Sequence, residues 1–184
     1  MRNASKGWRE IQKLKRELRR GSSIASNNIA ATYRELGNRR RAFHWWRRTA
    51  GPNYGDAWLE VGYCLQYGVG TRRDPDAAIK AYRKAVDSDR VTTTAFGEEE
   101  AQYHLAVAIL DRGAARNLPE VRQLLARAAA DGDYPQAKDL LEQLAEGQPL
   151  TMCRCRRRLA RHLGGKANCE LHRERGASKS KRRH

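Results

Sequence analysis

Three stretches of the chain can be laid over one another: AFHWWRRTA at 42–50, AIKAYRKAV at 78–86 and VRQLLARAA at 121–129. Each has a bulky residue at its fifth place (Trp46, Tyr82, Leu125), a cation two places later (Arg48, Lys84, Arg127) and then a small residue (Thr49, Ala85, Ala128). The first two start 36 residues apart and the next two 43 apart, the excess falling in a polar loop around 89–96. A period of this size leaves few folds open, because each unit must bury its apolar faces against the next one.

Every copy follows another helical run: Ser26–Leu36, Ala57–Tyr67 and Glu99–Leu110. In the second run Ala57, Val61, Cys64 and Leu65 recur at spacings of three and four, which marks one helical face. Gly37, Gly68 and Gly113 close the runs, as C-terminal glycines do. Asp74-Pro75 and Asn117-Leu118-Pro119 supply a cap and an early-turn proline to the helices that follow. The unit is helix–turn–helix, and stacked units make an all-α superhelix, a solenoid of about three repeats. A further helix from Asp133 to Leu144 is expected to cover one end. An N-terminal helix with Trp8, Ile11, Leu14 and Leu18 on one face is expected to cover the other.

The clearest unit, GDAWLEVGYCLQYGVGTRRDPDAAIKAYRKA at 55–85, resembles a Sel-1-like repeat, a relative of the tetratricopeptide repeat. Ala57, Gly62, Tyr67, Gly68, Gly70, Asp74, Ala78, Tyr82, Lys84 and Ala85 fall on or near that pattern. Here the two turn glycines come one step earlier than in the usual form. The first unit has only Gly37-Asn38 as its turn, and the third lacks the Gly-x-Gly. The resemblance covers about residues 26–145. It implies a right-handed superhelix used for protein–protein contacts, with no catalytic residues to carry over, and a bacterial source. The residues agree with it: Gly68 and Gly70 can take positive φ in a tight turn. Gly62 and Ala106 let paired helices approach, and Tyr63, Tyr67 and Tyr82 fill gaps between pairs. The Gly-x-Gly is no phosphate loop, since no strand precedes it and no Gly-Lys-Ser/Thr follows.

The formal charge of +16 is confined to the ends. Residues 1–20 carry +6 and residues 153–184 carry +10, while 21–152 balance at 17 of each sign. A neutral body between basic arms suits either a solvated, solubilising tail or contact with a polyanion. A second basic cluster, Arg39, Arg40, Arg41, Arg47 and Arg48, accompanies Trp45 and His44; an acidic peptide or a phosphate backbone would suit it, and a solvated helix face is the commoner explanation. Trp46 occupies the buried repeat position, whereas Arg41, His44 and Trp45 are candidates for contact with a partner in the solenoid groove. The alternative for Trp45 is packing on a neighbouring helix.

Four cysteines are present. Cys64 lies on the apolar face of a repeat helix and reads as a small core residue. Cys153, Cys155, Cys169 and His172 form CxC-x13-CxxH, two close pairs that suit a tetrahedral structural Zn2+ site with no open position. A segment with so little apolar surface needs such a staple to fold. The pattern resembles the SWIM-type finger but has one residue more between its last two ligands, and His162 is a substitute ligand. Free thiols in a basic tail and redox use are the other readings. Arg154, Arg156, Arg157, Arg158 and Arg161 would give the segment a polyanion-binding surface. With no aromatic residue in 153–184, it would read phosphates and not bases.

The expected organisation is a basic N-terminal helix (1–22), a repeat domain (23–146), a zinc-binding segment (150–175) and a disordered basic tail (176–184). No Ser/His/Asp set, HExxH or DxD cluster occurs, His104 sits among apolar neighbours, and an enzyme is not expected. No run approaches the roughly 18 apolar residues of a membrane span. The interrupted N-terminus and the thiol content point to the cytoplasm. The expected function is a non-catalytic adaptor for a protein or peptide, the alternative a nucleic-acid-associated protein that binds phosphates through its basic ends and knuckle.

Overall fold

The computed structural model describes residues 2–22, 24–51, 54–88, 97–113, 118–130 and 134–146. The chain divides into two units, Met1–Leu150 and Thr151–His184, and every described residue belongs to the first. Among the described residues there are helices and no strand: α1 (Arg2–Arg19), α2 (Ile24–Glu35), α3 (Arg39–Thr49), α4 (Gly55–Tyr67), α5 (Pro75–Val86), α6 (Gly97–Asp111), α7 (Leu118–Ala128) and α8 (Pro135–Ala145). They pair as α2/α3, α4/α5 and α6/α7, each pair packing on the next, with α1 against α2 and α8 against α7. This is the α-α solenoid of three helical hairpins with a capping helix at each end.

Local chemistry sets the helix limits. Asn38 and Asp74 cap α3 and α5, their side chains accepting from the Arg41 N–H (3.2 Å) and the Ala77 N–H (2.9 Å). Pro75 follows the second cap, and Arg83 and Lys84 close α5 where the helix dipole favours cations. Glu98, Glu99 and Glu100 fill the first turn of α6, where it favours anions. The observed first helices of α2, α4 and α6 begin two residues earlier than periodicity suggests. In α4 the Tyr54 carbonyl, not a side chain, accepts from the Ala57 and Trp58 N–H groups. The expected loop around 89–96 lies outside the described residues.

The repeat positions occupy equivalent interior sites, with Trp46, Tyr82 and Leu125 only 3, 0 and 0% exposed. Gly62 makes the α4/α5 contact possible: a Cβ there would lie 2.6 Å from the Tyr82 ring. The Tyr82 hydroxyl donates to Gln66 Oε1 (2.9 Å), and Gln66 Nε2 donates to Asp111 Oδ2 (2.8 Å). A polar chain that runs from the buried Tyr82 hydroxyl to the exposed Asp111 therefore ties α5, α4 and α6 together and satisfies the buried Gln66.

The first helices α2, α4 and α6 lie side by side. Arg34 on α2 reaches Glu60 on α4, and α4 touches α6 directly. The second helices form the other layer, where Arg83 on α5 pairs with Glu120 on α7 at 2.8 Å. At the N-terminal end Ile11 and Leu14 are buried and Leu18 is half-buried, but Trp8 stays 43% exposed. Trp8 lies at the rim of the expected face and meets the Tyr33 ring edge-on at 5.9 Å. Three residues advance the helix by 300°, so Trp8 stands about 60° off the line of Ile11, at the edge of the contact. No helix of the described residues is long and apolar enough to cross a membrane.

Candidate functional site

The first-helix layer carries a ribbon of polar and aromatic side chains. On α2, Asn27 and Arg34 are seven residues apart and share a face; on α4, Glu60, Tyr63 and Tyr67 do the same; on α6, Glu100 and His104 are one turn apart. The Arg34 guanidinium donates to Glu60 Oε1 at 2.5 Å and lies 5.3 Å over the Trp46 ring. Burial raises the pKa of Glu60, an effect Arg34 only partly offsets. Tyr63 packs on Tyr67 (4.8 Å between ring centres) and meets His104 edge-on at 6.3 Å. The His104 ring stacks on Tyr82 at 5.7 Å, and its Nε2 lies 3.7 Å from Glu100. Tyr103 continues the aromatic contacts to Tyr134 at 5.0 Å, where α8 begins. Burial also raises the pKa of Tyr63 and Tyr134, so their phenols stay neutral donors.

Two buried side-chain atoms of this layer have no hydrogen-bond partner, Asn27 Oδ1 and His104 Nδ1. An unpaired buried polar atom costs about 1–3 kcal/mol. Cys64 is 1% exposed, and burial pushes its thiol up to about 12, which keeps it protonated and inert. No group of three or more His, Cys, Asp or Glu suited to a metal ion occurs among the described residues. A depression of about 220 Å³ between α5, α6 and α7, crossed by the Arg83–Glu120 pair, is smaller than ordinary cofactor pockets.

The sequence-derived partner residues lie elsewhere, on α3. Arg41 and His44 are exposed and Trp45 is half-buried. Arg41 stacks over both Trp8 and Tyr33 at 5.6 Å, and Arg48 lies 5.7 Å over Trp45. Spacings of three and four put Arg41, His44 and Trp45 on one face, and the Arg41–Trp8 contact joins it to α1. Cys153, Cys155, Cys169 and His172, with Arg154, Arg156, Arg157, Arg158 and Arg161, lie outside the described residues. Arg34, Glu60 and Asn27 were not singled out by sequence; their only signal is polar residues at helical spacing, which every solvated helix also shows.

The sequence matches no family model and none of the curated proteins. Among solved structures, the crystal structure of a Sel1 repeat protein from Oxalobacter formigenes matches with a TM-score of 0.60 at 21% identity. The match covers 88% of this chain and 67% of that one. The shared property is the fold: helical hairpins stacked in series.

Proposed function

We propose that the chain is a non-catalytic adaptor that holds an extended segment of a protein partner along the α2–α4–α6 layer. The carrying observation is the ribbon of half-buried side chains that crosses the three helices: Asn27 and Arg34 on α2, Glu60, Tyr63 and Tyr67 on α4, Glu100 and His104 on α6. A peptide backbone offers donors and acceptors at every residue, and tyrosine rings give contact area at small entropic cost. The fold shared with a Sel1 repeat protein supports the reading, because that repeat is a protein-contact module. In the same reading the protein works in the reducing cytoplasm. Cys153, Cys155, Cys169 and His172 hold a structural Zn2+ that folds the basic C-terminal segment.

The test is selection of binders from a random peptide library on the full chain. Selected peptides should lose about tenfold in affinity, roughly 1.4 kcal/mol, on Tyr63→Ala and on Asn27→Ala. Peptides indifferent to both substitutions would remove the proposed site. Metal analysis of the same preparation checks the zinc reading: about one Zn2+ per chain is expected, lost in Cys153→Ser/Cys169→Ser.

A further inference from the structure

The outward side of α3 carries Arg40, Arg41, His44, Trp45, Arg47 and Arg48, and the helix contains no acidic residue. Arg40, Arg41, Arg47 and Arg48 pair with no carboxylate among the described residues, unlike Arg34, Arg83 and Arg112. Their neighbours are aromatic instead, Arg41 on Trp8 and Tyr33, Arg48 on Trp45. The flank of α1 that bears Trp8 repeats the pattern. Lys15 and Arg19 follow Trp8 by seven and eleven residues and so share its side of the helix. The acids Glu10 and Glu17 stand on the far side, each 3.8 Å from Lys13. Arg19, Lys15 and Trp8 on α1 and Arg41, Trp45 and Arg48 on α3 thus make two rows of cations and indoles that meet where Arg41 covers Trp8.

We propose that this α1–α3 face binds single-stranded nucleic acid. Helix α3 has 11 residues and five arginines, and four of them, Arg40, Arg41, Arg47 and Arg48, belong to this face. A single strand laid along this face would bring its phosphates to guanidinium groups that no carboxylate among the described residues neutralises. Bases stack on the guanidinium–indole layers, as they do on aromatic platforms elsewhere. An acidic peptide meets the charge but has no flat π-faces for Trp8, which keeps 43% of its surface exposed. This inference is independent of the peptide reading, because it uses the opposite helix layer.

The experiment uses the full chain and short fluorescent oligo(U) and oligo(dT), with anisotropy read between about 50 and 200 mM salt. Arg40, Arg47 and Arg48 are exposed, so the triple variant Arg40→Gln/Arg47→Gln/Arg48→Gln should keep its helical circular dichroism. It should bind about tenfold more weakly, with a salt slope shallower by about 2. Trp8→Leu should lower affinity and reduce the tryptophan quenching that the oligonucleotide causes, with the salt slope kept. Binding that the triple variant leaves unchanged would assign any affinity to the C-terminal arginines and overturn the proposal. So would displacement of the oligonucleotide by poly-Glu at equal charge concentration, or an oligonucleotide that does not bind at low salt.

Discussion

Glu60 is an acid placed where ionisation is resisted. Its pKa is raised from about 4.5 by burial against the partial pull of Arg34, so the folded chain binds its proton more tightly than the unfolded chain. Stability from this group is therefore largest below about pH 4.5 and declines as pH climbs through the folded-state value. Glu60→Gln keeps an acceptor for Arg34 without the charge. In urea titrations across that acidic-to-neutral range, the variant should gain on the parent as pH rises; a constant difference would show that Glu60 ionises as freely in the fold as outside it. The residue itself could not be picked out in the sequence, where it is one of 21 acids. Its environment depends on Arg34, 26 positions away. Tyr82, by contrast, was legible as an interior residue from the repeat register alone, and its complete burial agrees.

At the scale of the element, the α4–α5 turn shows how little sequence a helical hairpin needs. Gly68 and Gly70 both take φ of +71°, but their surroundings differ. A Cβ on Gly68 meets nothing closer than 3.4 Å, whereas one on Gly70 would lie 2.2 Å from the Arg39 carbonyl oxygen. Gly68→Ala should cost about 1–2 kcal/mol, the left-handed penalty alone. Gly70→Ala should cost distinctly more, since the start of α3 must also move. Equal midpoints for the two variants in thermal denaturation would contradict this. The two glycines were both readable as turn formers. That Gly70 abuts the preceding hairpin was not, because the motif describes one repeat and the contact belongs to two.

For the whole molecule, a stack of hairpins in which each touches only its neighbours should not lose stability evenly. Ile11 is the fully buried residue of α1, the helix that covers the first hairpin through α2. Ile11→Ala should cost about 2–5 kcal/mol locally. In hydrogen exchange, amides of α1 and α2 should lose protection while those of α6 and α7 keep theirs. Uniform loss would instead make the repeats a single cooperative unit.

The sequence by itself determined the helices, the Asp74 cap of α5, the pairing into hairpins and the interior places of Trp46, Tyr82 and Leu125; the expected Asn117 cap lies outside the described residues. Those follow from periodicity and from turn and cap chemistry, which act over a few residues. Only the tertiary structure decided that Arg34 meets Glu60, that His104 stacks on Tyr82, and that Arg41 crosses from α3 to Trp8 on α1. Periodicity tells which side of a helix is covered but not what covers it; that depends on how separate hairpins settle against one another, so the residues of both candidate surfaces became neighbours only in the folded stack.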